Sequence, residues 1–353
     1  MKIHQSHALF QYQGEDIFLF TLQNNNGVEV CISNLGAIIQ SFKVPDRNNN
    51  LIDIVLGFDK MEQYLDPEYL KTGTYLGAII GRYANRIANA NFEIDGQCFQ
   101  LSENFPPHQH HGGFEGFDRK VWQVLDLENG IGGQLKMTYL SKDFEEGYPG
   151  NLQVSISFEL NDKNELIIST EATTDSPTAI NLTHHDYFNL NGSGRIDDHI
   201  IQIVADKYLG QYSDKVANGE LISVNGSKFD FNNAKPISQD WDSCLGYDLS
   251  FLLKKDFGSF GNAAMAYSEK SGIKLEVYTD EPTVQFYTGK YLGIVNGKNG
   301  KDYEPFTGFC FETQHHCNAV HISDFPSTIL RPGEVYRHQT NYCVNVMDIY
   351  SIR

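Results

Sequence analysis

The chain has 353 residues, enough to bury a sizeable core in either one large β domain or two ordinary ones. Its 45 Asp and Glu against 27 Lys and Arg leave a formal charge of −18, which repels phosphate backbones and anionic bilayers, so nucleic acid, membranes and phosphorylated substrates are poor partners. Six cysteines, at 31, 98, 244, 310, 317 and 343, form no CxxC pair and read as reduced thiols, and with no apolar leader after Met1 and no run of about 18 apolar residues the expectation is a soluble, cytoplasmic protein.

In chain order, segments 16–22, 28–44 and 51–58 alternate or run apolar between turn residues and read as strands. Asp59-Lys60-Met61-Glu62 has capping-box spacing, which predicts a short helix that Pro67 would curtail. Leu152, Val154, Ile156, Phe158 and Leu160 alternate with polar residues, and after Asn161-Asp162-Lys163-Asn164 the pattern resumes over 166–172. That is an antiparallel hairpin with one wet face. Further strands are expected at 200–204, 252–253, 273–279, 284–288, 308–313 and 342–347. An aromatic content of 12% and 31 glycines suit antiparallel sheets with many turns. No βαβ rhythm, linker or repeat appears, so the economical reading is all-β: one large sandwich over residues 1–353 with few short helices.

Five clusters interrupt the apolar runs with groups that carry chemistry. In the stretch 181–190, Asn181-Leu182-Thr183-His184-His185-Asp186-Tyr187-Phe188-Asn189-Leu190, extended geometry places Asn181, Thr183 and His185 on one side and Leu182 and His184 on the other. At 81–89, Asn85 and Arg86 sit among small residues, which fits either close approach of a ligand or a β-bulge with a surface ion pair. His108, His110 and His111 invite a zinc reading, although neighbouring loop residues seldom converge on one ion. Asp248 follows Gly246-Tyr247, a position that also suits an ordinary turn residue. In 308–314, Glu312 falls mid-strand between aromatics, where a carboxylate is costly unless paired or employed, and Gln285 is a weaker case of the same kind.

With no GxSxG, Walker A or HExxH motif, this inventory favours proton transfer on a neutral, hydroxyl-rich molecule. Carbohydrate-binding modules and glycoside hydrolases are the rival readings, the latter requiring two carboxylates about the scissile bond.

The ordered motifs Gly81-Arg82-Tyr83-Ala84-Asn85-Arg86-Ile87-Ala88, His111-Gly112-Gly113, Gly147-Tyr148-Pro149-Gly150-Asn151-Leu152, the 181–190 stretch, Gly246-Tyr247-Asp248, Val284-Gln285-Phe286-Tyr287-Thr288-Gly289, Phe311-Glu312-Thr313-Gln314-His315 and Leu330-Arg331-Pro332-Gly333-Glu334 resemble the aldose 1-epimerase (galactose mutarotase) family. The resemblance implies a β-supersandwich that interconverts the α and β anomers of free aldohexoses such as galactose and glucose, with a small-molecule sugar as partner and neither metal nor organic cofactor. Carried over by position, it implies catalytic roles for Glu312 as general base, His185 as general acid and His111 as a second active-site histidine. Asn85, Arg86, Asp248 and Gln285 match residues that hold sugar hydroxyls. The chain departs from the commoner Asn-Leu-Thr-Asn-His-Ser pattern by placing His184 and Asp186 beside His185, which leaves His184 as an alternative acid. The implied mechanism needs an ionised Glu312 and a protonated His185, with the acidic limb of the pH profile from Glu312 and the basic limb from His185.

Overall fold

Period-two alternation at 152–160 forms the strand Leu152–Leu160, in which every second residue is buried. It pairs antiparallel with Glu165–Thr174 from Leu152 opposite Thr174 to Leu160 opposite Leu166, so the hairpin keeps one wet face. These strands belong to the computed structural model of the chain, which describes residues 2–130, 133–242 and 244–347.

The hairpin lies in a nine-stranded antiparallel sheet ordered Gln123–Leu127, Leu135–Ser141, Leu152–Leu160, Glu165–Thr174, Tyr336–Val346, Ile273–Thr279, Gly261–Tyr267, Ile200–Ile203 and Lys235–Pro236. A five-stranded sheet runs Ala217–Ser223, Ala205–Gln211, Asp248–Leu253, Thr283–Tyr287, Cys310–Gln314. The chain passes between the two sheets at Val204, whose N–H donates to Ala263 O. A third sheet gathers the N-terminal strands Lys2–Gln5, Leu19–Gln23, Glu29–Ser33, Ile39–Pro45 and Leu51–Asp53. Val30 and Phe42 from the third sheet, Ile156 and Phe158 from the first, and Phe251, Phe286 and Phe311 from the second share one buried cluster. Each such side chain contributes about 1.5–3 kcal/mol on burial. The expected all-β sandwich is borne out, and among the described residues no helix is long and apolar enough to cross a membrane.

The short helix expected from residue 59 forms as the 3₁₀ helix Met61–Leu65 and stops before Pro67, but Pro67 also opens a helix of its own, Pro67–Thr72, capped by Asp66, which accepts from Glu68 N–H at 2.8 Å. Proline at the first helical position loses no hydrogen bond, because that N–H has no intrahelical partner. Segment 51–58 is a strand only over Leu51–Asp53. Beyond it the apolar run stays buried, but its amides pair singly, Ile54 N–H with Phe42 O and Leu56 N–H with Tyr187 O, so burial persists without a ladder. This pairing holds the 187–189 segment, and with it the stretch that carries His185, against the N-terminal sheet.

Candidate active site

Glu312 is the central residue of Cys310–Gln314, the last strand of the five-stranded sheet, and lies opposite Gln285 of Thr283–Tyr287. Gln285 in turn lies opposite Ser250, two residues along the next strand from Asp248, and its Nε2 reaches Asp248 Oδ1 at 2.7 Å. Three adjacent strands therefore present Glu312, Gln285 and Asp248, a carboxylate, an amide and a second carboxylate.

His185 arrives from the opposite side. Only Thr183–His184 is regular strand, paired with Ile79–Ile80, so the continuous strand expected over 181–190 is not formed. His185 and His184 nevertheless face opposite ways, as alternation along extended backbone requires. His185 N–H donates to Ala78 O (2.9 Å) and its carbonyl accepts from Gly77 N–H (3.0 Å), which sets its Nε2 3.6 Å from Glu312 Oε1. Its Nδ1 lies 3.6 Å from Cys310 Sγ, and the ring stacks on Tyr187 with centroids 5.0 Å apart. His184 points elsewhere, with Nδ1 2.9 Å from Asp186 Oδ2 and Nε2 3.1 Å from Ala37 O. Both its nitrogens are engaged in the core, which removes it as an alternative acid.

His111 completes the group because Gly112 lies so close to Gly81 that a Cβ would collide with the Gly81 carbonyl, and its φ of +86° also suits glycine. His111 N–H donates to Asn85 O (3.0 Å), while Asn85 N–H donates to His111 Nδ1 (3.3 Å). With Nδ1 accepting, the proton of the neutral imidazole sits on Nε2. The His111 and His185 rings are 5.3 Å apart.

His111, His185 and Glu312 each offer a ligand atom, all within 4.8 Å of one another, a different trio from the three histidines of 108–111. His108 is turned away, its Nδ1 taking Asn89 N–H and its Nε2 lying 3.2 Å from Asp214 Oδ2. A metal-bound imidazole donates its other N–H to an acceptor. At His111 that other nitrogen faces a donor, Asn85 N–H, so the wiring suits a hydrogen-bonded neutral ligand and not an ion.

The two arginines of 81–89 separate. Arg82 is a buried fastener, donating to Ser141 Oγ (2.8 Å) and to the carbonyls of Ser141 (2.9 Å), Lys142 (2.7 Å) and Pro149 (3.0 Å). Arg86 lies near the site with its guanidinium 4.9 Å from the Phe105 ring centroid. Asn85 O and N–H hold His111, and Asn85 Oδ1 accepts from Arg86 N–H at 2.9 Å.

Burial, reinforced by the Asp248 carboxylate and opposed by Arg86, pushes Glu312 up to about 8. Burial pulls His185 down to about 4, and also holds His111 well below the usual histidine range. In the free site the proton therefore rests on the carboxyl and the imidazoles are neutral, the reverse of the ionised Glu312 and protonated His185 expected from sequence. Glu312 Oε2, Gln285 Oε1 and Arg86 Nε are buried with no hydrogen-bond partner among the described residues. Such a concentration of unpaired polar atoms marks a site built for a hydrogen-bonding ligand.

Two further residues join the site that sequence reading missed. Cys310 touches His185; the sequence marks it as a reduced thiol on the same strand face as Glu312 but gives it no part in the site. Tyr75 lies with its ring 4.9 Å from His111 and 6.1 Å from His185, and its only signal was an aromatic between Gly73 and Gly77.

The sequence profile of the aldose 1-epimerase family matches residues 19–343. The chain belongs to that family. It is similar to the galactose mutarotase of Homo sapiens, 41% identical over 339 residues that cover 93% of this chain and 94% of the relative. The aldose 1-epimerase of Escherichia coli K12 is 35% identical, covering 93% and 95%. Among solved structures, the GalM/aldose epimerase homologue from C. elegans superposes with a TM-score of 0.86 at 29% identity, covering 94% of this chain and 99% of that one. The galactose 1-epimerase from Lactobacillus acidophilus gives 0.84 at 25%, covering 98% and 99%. The chain is thus an isomerase acting on carbohydrates, with the aldose 1-epimerase activity of its family.

Proposed function

We propose that this aldose 1-epimerase acts on free aldohexoses, galactose and glucose foremost, as one catalytic domain in which Glu312 and His185 share a single mobile proton. The observation that carries the reading is the buried 3.6 Å approach of Glu312 Oε1 to His185 Nε2, with Glu312 Oε2 unpaired beside it. Sugar hydroxyls donating to Glu312 favour its charged form, so binding drives the shared proton toward His185. Glu312 then takes the proton from the C1 hydroxyl while His185 gives one to the ring oxygen, and the bond from C1 to the ring oxygen breaks. The aldehyde turns about C1–C2 by roughly half a revolution, and the pair reverses roles as the ring closes on the other face. Each proton transfer is worth about 10²- to 10⁴-fold. Asp248 and Gln285, already joined to one another, and Arg86 hold the remaining hydroxyls so that only C1 moves.

The relatives' names support galactose, and the formal charge of −18 disfavours a phosphorylated sugar. Polarimetry of freshly dissolved α-galactose, α-glucose, α-xylose and glucose 6-phosphate tests this. Acceleration of the first two above glucose 6-phosphate is expected, and a preference for the phosphate ester would overturn it.

A further inference from the structure

We propose that Tyr75 is a positioning residue of this site, holding the His111 and His185 imidazoles at their angles to Glu312, and the inference rests on the proton-pair reading above. Its ring centroid lies 4.9 Å from that of His111 at 60°, 6.1 Å from His185 at 36° and 6.1 Å from His110 at 75°. One side chain thus spans both imidazoles assigned to the chemistry. It is half-buried, whereas His111, His185 and Glu312 are buried.

The backbone shows how the ring is held in place. Ala78 N–H closes a turn onto Tyr75 O at 3.2 Å, and Leu76 N–H is fastened to the Tyr69 hydroxyl at 2.8 Å. From the same turn, Gly77 N–H bonds His185 O and Ala78 O accepts His185 N–H. The segment that carries the aromatic ring is therefore bolted to the backbone of the proton-transfer histidine. Tyr75 itself has φ +55°, a left-handed conformation that a bulky residue seldom adopts and that glycine would accept freely. A tyrosine kept where glycine is the easier choice fits a ring needed at that point.

The need is physical. The terminal torsion of a histidine is broad, so packing must fix the ring plane. Among the described residues His185 is fixed by Cys310 at Nδ1, by the stack on Tyr187 and by Tyr75, with Glu312 and His111 facing it across the site. Removing one of these supports lets Nε2 swing away from the ring oxygen while leaving the groups that grip the sugar untouched. The loss then falls on kcat and spares KM.

The test compares Tyr75→Phe, Tyr75→Gly and Tyr75→Leu by polarimetric mutarotation of α-galactose, with folding checked by near-ultraviolet circular dichroism. Tyr75→Phe keeps the ring and should hold kcat within about threefold, whereas Tyr75→Gly and Tyr75→Leu should lose about 10- to 100-fold in kcat with KM nearly unchanged. Glycine suits the backbone and leucine preserves apolar bulk, so at least one ring-less variant should fold. Unchanged kcat in the ring-less variants, a loss confined to KM, or a Tyr75→Phe defect as large as theirs would overturn the assignment. Glu312→Gln run in parallel separates the two claims: if it is inactive while the ring-less variants are fully active, the proton pair stands and the role of Tyr75 falls.

Discussion

His184 Nδ1 lies 2.9 Å from Asp186 Oδ2, with both side chains buried. These are the two residues that depart from the commoner family pattern around His185, and the structure joins them to each other. Replacing one alone leaves a buried polar partner unpaired, which costs about 1–3 kcal/mol, whereas His184→Asn with Asp186→Ser removes both ends at once. Urea unfolding should therefore give a double-mutant cost smaller than the sum of the singles by about 0.5–3 kcal/mol. Because neither side chain faces Glu312, kcat should stay near the starting value in all three variants.

The pH profile follows from the shared proton. Below about 4, where His185 titrates, both groups are protonated and the base is lost; above about 8, where Glu312 titrates, both are deprotonated and the acid is lost. The efficiency kcat/KM should be bell-shaped between these values, which are macroscopic constants of the pair. The limbs are exchanged relative to the reading from sequence: the acidic limb follows His185 and the basic limb Glu312. Profiles taken by polarimetry and corrected for buffer catalysis should show the basic limb near 8, and a basic limb near 6 would restore the original assignment.

The same carboxyl also sets a stability dependence. Its pKa is about 8 folded against an ordinary 4.5, so the unfolded chain ionises first as pH rises. Stability is therefore undiminished by this group below 4.5 and falls between 4.5 and about 8, by at most about 1.36 kcal/mol per pH unit. Glu312→Gln lacks this penalty. Its advantage in Tm over the parent should be small at pH 4.5, grow up to about pH 8 and level off above it.

His111 is wired as a donor, with Nδ1 occupied by Asn85 N–H. Glutamine places its amide N–H near the position of Nε2, whereas asparagine places it near Nδ1. His111→Gln should retain more kcat than His111→Asn, by about tenfold or more if the donor faces developing charge on the sugar. Equal activities in the two variants would remove that role.

Much of the fold was legible because period-two alternation over 152–160 and 273–279 is an unambiguous strand signal, and both segments form strands. The 51–58 and 181–190 stretches read as strands for the same apolar reason but are mostly irregular, since burial dictates composition whether or not a neighbour completes the ladder. Glu312 stood out because a mid-strand carboxylate among aromatics demands an explanation, and alignment of Tyr187-Phe188-Asn189-Leu190 with the family motif, together with strand alternation, favoured His185 over His184. Tyr75 did not stand out. Its proximity to the histidines comes from a turn whose Gly77 and Ala78 pair with the His185 backbone, and such long-range contact leaves no local pattern in a single sequence.

The most direct measurement of the central claim is the polarimetric rate for α-galactose with the parent, Glu312→Gln and His185→Asn. A shared proton between these two residues predicts that each substitution lowers kcat by about 10²-fold or more, and that the double variant is little worse than either single. Mutarotation near the parent rate in either single variant would contradict it.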